Sequence, residues 1–451
     1  MFKIKDRSIE QFAVFQYVQI IRFNSLSFYW FIWFVWFWII FGLFILYTTT
    51  VFTHGLIFIK KQLCWTLLSF LYLLVFFQVS KKHLLLIGII GTISNLIAIN
   101  YTLLKDFSIN GARRWIELGP VLYQPGEIQK PFFLITLGYI YNTLTLPIKH
   151  LCLQNQSLLI FKKNSLIGNL SFFLKNLIVK KTIPAQELNF EQPKNKESLI
   201  FSPEITKYFS IFCTIGILVG IFLQPDFASG LLYLITSFFL LFIKKFSSYY
   251  LVLLSSFVFV FLLINILQHP YQLDRILFFL FSITLNNNFG EKPEIPTQLT
   301  QSLETISRGG IWGVGLACSN TNSNIFPIYY ADFIFSVFFE NFGFIGSIFF
   351  FLFLTLLNCF YIFNSLKLKK SLDIIICLGS FLFLNFQTCI HLAVTCNLLP
   401  ITGIPLPFIS YGGNAQLACL SLLGLSIKLF YENIRPLKNH KNLQLIEKRI
   451  Y

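Results

Sequence analysis

Long apolar runs recur along the chain with short polar breaks between them. A helical run of roughly 20 apolar residues matches the hydrocarbon thickness of a bilayer. Runs this closely spaced must be helices, because lipid offers no partner to open backbone groups. The pattern predicts ten spans: Ser27 to Tyr47, Gln62 to Val79, Leu84 to Asn100, Ile128 to Leu146, Tyr208 to Leu223, Phe227 to Ile243, Tyr250 to Leu267, Phe333 to Phe363, Leu372 to Leu392 and Ala415 to Leu429. The expected fold class is all-α, a polytopic membrane protein of about ten transmembrane helices. The expected division is an N-terminal segment 1–26, a transmembrane domain 27–429 and a C-terminal tail 430–451. A long inside loop, 147–207, and a long outside loop, 269–332 between the seventh and eighth helices, interrupt the domain.

Composition supports this reading. Of 451 residues, 55% are hydrophobic and 12% are charged, against roughly 25% charged in a soluble domain. The nine Cys are scattered without CxxC pairs, which suggests neither a zinc site nor a disulfide framework. The net charge of +16 would suit nucleic acid or membrane topology, and position decides between them. With the N-terminus inside, the segments 1–26, 80–83, 147–207, 244–249, 364–371 and 430–451, together with Lys428, hold about 26 of the 35 Lys and Arg. The excess is thus a topogenic signal, and a nucleic-acid partner is not expected. Loop 147–207 carries apolar patches at Leu158 to Phe161 and Leu170 to Leu174, which suit a stretch lying on the membrane surface.

Ionisable residues at or within spans are expensive and mark function by default. Glu127 and Lys130 stand three apart and share a helix face, so they pair either as a structural cap or as one wall of a polar cavity. Asp226 follows Pro225 at a helix start, where a carboxylate caps free N–H groups. Arg113 and Arg114 sit on the side that positive charge avoids, and paired guanidinium groups suit phosphate. Asp332 lies between Tyr329-Tyr330-Ala331 and Phe333-Ile334-Phe335. Desolvation there would raise its pKa toward that of a general base; as the bland alternative, it caps the eighth helix. Glu340 lies two turns on, placed to bond another helix. The stretch Asn397 to Gly413, NLLPITGIPLPFISYGG, holds too many Pro and Gly for a regular helix. Irregular backbone at that depth implies a surrounding cavity.

The motifs NGARRWIELGPVLYQPGEIQK, QPDFASG, RGGIWGVG, FPIYYADFIFSVFFENFGFIG and LLPITGIPLPFISYGG resemble, in order, those of the SEDS family (shape, elongation, division and sporulation; FtsW, RodA and SpoVE). Their details are most similar to its cyanobacterial and plastid FtsW branch. Four positions depart from the family pattern: Gly126 for Ser, Ala331 for Thr, Asn341 for Glu and Asn414 for Ser.

The resemblance implies a peptidoglycan glycosyltransferase that polymerises lipid II, an undecaprenyl-pyrophosphate-linked disaccharide peptide. Asp332 would be catalytic. Arg114, Glu127, Lys130, Asp226, Arg275, Glu340 and Ser410 would bind substrate, and a divalent cation (Mg or Mn) could assist. The implied partners are a class B penicillin-binding protein transpeptidase and other division proteins. The implied location is a bacterial plasma membrane or a plastid inner envelope membrane. Two other functions use the same features: a lipid II transporter, and a non-catalytic scaffold that recruits a transpeptidase.

Overall fold

The computed structural model describes residues 32–51, 55–105, 113–119, 121–144, 203–224, 226–243, 256, 270–284, 297–316 and 329–438. The predicted seventh span (apart from Ser256), most of loop 147–207 and segment 1–26 lie outside the described residues, as does the tail beyond 438. Helices stand at the other nine predicted spans: α1 (Ile32–Val51), α2 (Ile57–Gln78), α3 (Lys81–Leu104), α5 (Lys130–Leu144), α6 (Pro203–Leu223), α7 (Phe227–Ile243), α11 (Ile334–Ser365), α12 (Ser371–Thr395) and α13 (Gly413–Lys438). Among the described residues six helices are long and apolar enough to cross a membrane, and parts of α5, α6 and α7 form shorter apolar helices.

Packing follows from where large apolar side chains fall. α13 is central: 94% of its span is buried, against 11% for α2, which lies along it. One apolar cluster joins α1 to α11 through Trp38, which stacks on Phe353 with ring centroids 3.8 Å apart. A second joins α5, α7 and α12, with Tyr233 packed edge-on against Phe133 at 4.8 Å and Phe383 at 5.1 Å. Such aromatic pairs add to the burial of their area. Polar side chains inside helices are satisfied locally, as where Thr136 and Thr388 bond back to the preceding turn.

The described parts of the outside loop 269–332 are more regular than its composition suggests. It contains α8 (Pro270–Thr284), α9 (Thr297–Gly309) and the single turn α10 (Tyr329–Asp332). The polar piece around Thr297 folds as α9, whose buried face is Leu299, Ser302, Thr305 and Gly309. Steps of three and four put these residues on one side, and small polar groups let α9 lie close on α11. Ser302 Oγ meets Ser336 Oγ at 2.6 Å and donates to Thr395 O at 3.0 Å. A short hairpin also appears in the outside segment before α5: β1 (Ile116–Leu118) pairs antiparallel with β2 (Val121–Tyr123).

The RGGIWGVG motif explains a break in α11. Gly343 adopts φ 64°, ψ −164° inside the helix, a region open to glycine. The backbone groups freed there are taken up by the segment after α9. Val314 N and Gly315 N donate to Glu340 O and Asn341 O at 2.8 and 3.2 Å, while Phe344 N and Ile345 N donate to Gly310 O and Ile311 O at 3.0 and 3.2 Å. Segment 310–315 thus replaces the hydrogen bonds that lipid cannot supply.

Segments expected on the inside meet at one end of the bundle. Lys81 Nζ lies 2.7 Å from Asp373 Oδ2 and 3.0 Å from Glu432 Oε2, tying together the ends of α3, α12 and α13. Asn433 donates to Lys367 O from the same end.

Candidate active site

The candidate site forms at the opposite end, where irregular backbone gathers. Asp332 closes α10, and Phe333, at φ −130° and ψ 24°, separates it from α11. The N-cap position of α11 is Phe333, which makes no side-chain cap bond, so capping does not account for Asp332. Its turn is half-buried among aromatic groups. The Tyr330 ring lies 4.5 Å from Phe58 and 5.6 Å from Tyr411 between centroids. Desolvation pushes the Asp332 carboxyl up to about 6, against the opposing pull of the Arg275 and Arg114 guanidinium groups.

The segment 397–412 passes beside this carboxylate without regular structure, as its Pro and Gly predict. Gly403 takes φ 70°, and a Cβ built on it would lie 3.5 Å from Asp332 Oδ2. Arg275 Nη1 donates to Ile401 O at 2.8 Å, which holds its guanidinium group over the same stretch.

Ser410, expected to bind substrate, has another use. Its Oγ donates to Ala331 O at 2.7 Å and accepts from Leu406 N at 2.8 Å. The first bond fixes segment 397–412 to the turn that carries Asp332, and the second braces the segment internally. Glu340 is likewise drawn into architecture: Arg308 Nε donates to its Oε1 at 2.8 Å, pinning α9 to α11. The structure does not bring Glu340 into the group around Asp332.

The remaining predicted residues do converge. Lys130 is fully buried and donates to Glu127 Oε2 at 2.7 Å. Its second partner is Gln387 Oε1 of α12 at 2.9 Å. Arg114 Nη1 approaches Asp226 Oδ1 at 3.4 Å, and Gln124 Nε2 donates to Asp226 Oδ2 at 3.3 Å. Asp226 also accepts from Ser229 N at 3.2 Å, so it caps α7 as expected while it holds Arg114. Tyr233 OH donates to Gly126 O at 2.7 Å, which secures the single turn α4 (Pro125–Ile128) that carries Glu127. The result is a polar patch in which two guanidinium groups and an ammonium stand among the carboxylates of Glu127, Asp226 and Asp332, the last with a raised pKa.

Gln387 is uncharged, so charge in an apolar setting does not single it out. A buried amide in the largely apolar α12 was the available signal, since a polar group at that depth needs a partner. Among the described residues no group of three or more His, Cys, Asp and Glu side chains could hold a metal ion. The Glu127 and Asp226 carboxylates are each matched by Lys or Arg, and Asp332 faces two Arg. This donor set does not fit a protein-held divalent cation, and no step is assigned to one.

Comparison with known proteins agrees with the motifs. The family model described as cell cycle protein, covering FtsW, RodA and SpoVE, matches residues 26–433. A protein of Mesostigma viride named putative peptidoglycan glycosyltransferase FtsW is 29% identical, covering 89% of this chain and 84% of its own length. A Synechocystis protein named probable peptidoglycan glycosyltransferase FtsW is 30% identical over 72% of this chain and 67% of its own. A solved chain from a peptidoglycan synthase complex that coordinates polymerization and crosslinking shares the fold at a TM-score of 0.63, with 20% identity, over 90% of this chain and 98% of that one. This chain is a multi-pass membrane protein of the FtsW/RodA/SpoVE family.

Proposed function

We propose that this protein is a peptidoglycan glycosyltransferase that polymerises lipid II, with Asp332 as general base. The observation that carries the reading is the half-buried Asp332 carboxyl, raised to about 6 and flanked by Arg275 and Arg114. A base of that pKa is largely deprotonated at neutral pH yet basic enough to accept a proton. It takes the proton from the acceptor sugar hydroxyl as the new glycosidic C–O bond forms. The bond to the donor's pyrophosphate breaks, and undecaprenyl pyrophosphate leaves with the negative charge. Arg114 and Arg275 are placed to stabilise that charge, since a guanidinium keeps donors beyond those used in holding position. Lys130 and Glu127 shape the wall behind them.

A general base supplies typically 10²–10⁴-fold, so stabilisation of the leaving group has to contribute as well. A class B penicillin-binding protein transpeptidase is the proposed partner, consistent with a fold shared with a chain of a polymerising and crosslinking complex. The proposed location is a bacterial plasma membrane or a plastid inner envelope. The test is reconstitution of purified protein and partner with labelled lipid II. Glycan formation supports the proposal. Movement of lipid II across liposomes without glycan would favour a transporter, and partner binding with neither activity would favour a scaffold.

A further inference from the structure

The mechanism above uses neither His391 nor the amide nitrogen of Gln387. These residues are one turn apart on the same face of α12 and grip two successive carbonyls of segment 397–412. Gln387 Nε2 donates to Pro405 O at 2.9 Å, and His391 Nδ1–H donates to Ile404 O at 2.8 Å. Both side chains are buried, Gln387 to 1% exposure and His391 to 0%. We propose that Gln387 and His391 are positioning residues, a two-point clamp that holds Gly403 against Asp332 and couples that contact to Lys130.

Three relationships support the clamp. First, the segment it holds has no regular structure, and Asn397, Gly403 and Phe408 all have positive φ. Backbone of this kind persists where its surroundings over-determine it, and its carbonyls need donors at membrane depth. Second, the clamp acts one and two residues from Gly403, where an added Cβ would lie 3.5 Å from Asp332 Oδ2. Arg275 holds Ile401 O on the other side of Gly403, so the clamp and that contact bracket it. Third, the Gln387 amide is oriented by both its partners. Its oxygen accepts from the Lys130 ammonium and its nitrogen donates to Pro405 O. Among the described residues His391 Nε2 has no hydrogen-bond partner. A single donor is therefore what the site asks of position 391, and Asn can supply one.

This inference rests on Asp332 as the base, but its test has a readout that needs no turnover. Among the described residues, the groups facing Asp332 besides Gly403 are Arg275 of α8, Arg114 before β1 and Tyr330 of its own turn. Desolvation is the largest influence on the carboxyl, so water admitted by a loosened segment outweighs a movement of Arg275. Dicyclohexylcarbodiimide modifies protonated carboxyls in apolar surroundings, and its attachment to Asp332 can be followed against pH by peptide mass spectrometry of the full-length protein. The expected midpoint is about 6 in wild type and unchanged in His391→Asn. In His391→Leu it is expected at least about half a pH unit lower, with kcat at least about tenfold lower and KM for lipid II within about twofold. Gln387→Leu, which leaves His391 in place, is expected to lower the midpoint in the same direction. Unchanged midpoints in both Leu variants would overturn the clamp, as would failure of His391→Asn to restore the wild-type midpoint. A wild type that makes no glycan would instead overturn the glycosyltransferase reading, while the labelling would still decide the clamp.

Discussion

Gly403 lies against Asp332 so closely that a Cβ at position 403 would sit 3.5 Å from the carboxylate oxygen. The distance is ordinary van der Waals contact, so space is available; the constraint is the backbone, at φ 70°. An L-residue held there costs about 1–2 kcal/mol. Gly403→Ala is expected to lower thermal stability by that amount. Relief of the strain would displace the segment from the carboxylate and lower kcat by about 10–10²-fold. Thermal unfolding in detergent and a glycan assay check the two effects separately.

Lys130 and Glu127 are both buried, at 0% and 5% exposure, and 2.7 Å apart. Removal of one partner strands the other charge, at a cost of about 3–5 kcal/mol. Lys130→Met is expected to show that loss in thermal unfolding. The double variant Lys130→Met, Glu127→Gln is expected to recover most of the stability and none of the activity.

Gly343 faces a crowded crossing. A Cβ there would fall 2.3 Å from Gly313 N and 2.5 Å from Ile311 O, both backbone atoms that cannot step aside. Gly343→Ala is expected to expel segment 310–315 and to cost more than about 4 kcal/mol, the range of severe single substitutions. The yield of monodisperse protein is the measurement, and Gly310→Ala, with open space at its Cβ position, serves as the milder control.

Asp332 also makes a prediction about stability. Its folded pKa, about 6, lies above the ordinary 3.8. A group raised in this way contributes stability below the lower value and loses it as pH rises through the upper one. At pH above about 6 the ionised carboxylate therefore burdens the fold. Asp332→Asn is expected to unfold at a higher temperature than wild type at neutral pH. The advantage should shrink between about pH 6 and 4, as read in melting curves across that range.

Much of the fold was legible because lipid imposes a simple rule on the helices that face it. α7 begins and ends at the predicted residues, Phe227 and Ile243. α9 was missed because its buried face, apart from Leu299, is Ser302, Thr305 and Gly309, small groups that pack closely without raising hydropathy. The β1–β2 hairpin was missed although Gly119, at φ 63°, marked its turn. At the site, charge in an apolar setting singled out Asp332, Glu127, Lys130 and Asp226. The same reasoning could not tell which polar groups spend their bonds on architecture. Ser410 lies in a motif beside the site yet holds the backbone at Ala331, and Glu340 is committed to Arg308. Gln387 joins Lys130 to Pro405 across 257 and 18 residues of sequence, a juxtaposition that folding alone creates.

The central claim is that Asp332 takes the acceptor proton. The direct measurement is the rate of lipid II polymerisation against pH, for wild type and Asp332→Asn with the same transpeptidase partner. The account predicts a wild-type rate that falls as pH drops through about 6 and an Asn variant slower by about 10²–10⁴-fold throughout. An Asn variant that polymerises as fast as wild type, or a wild-type rate that stays flat down to about pH 4, would contradict it.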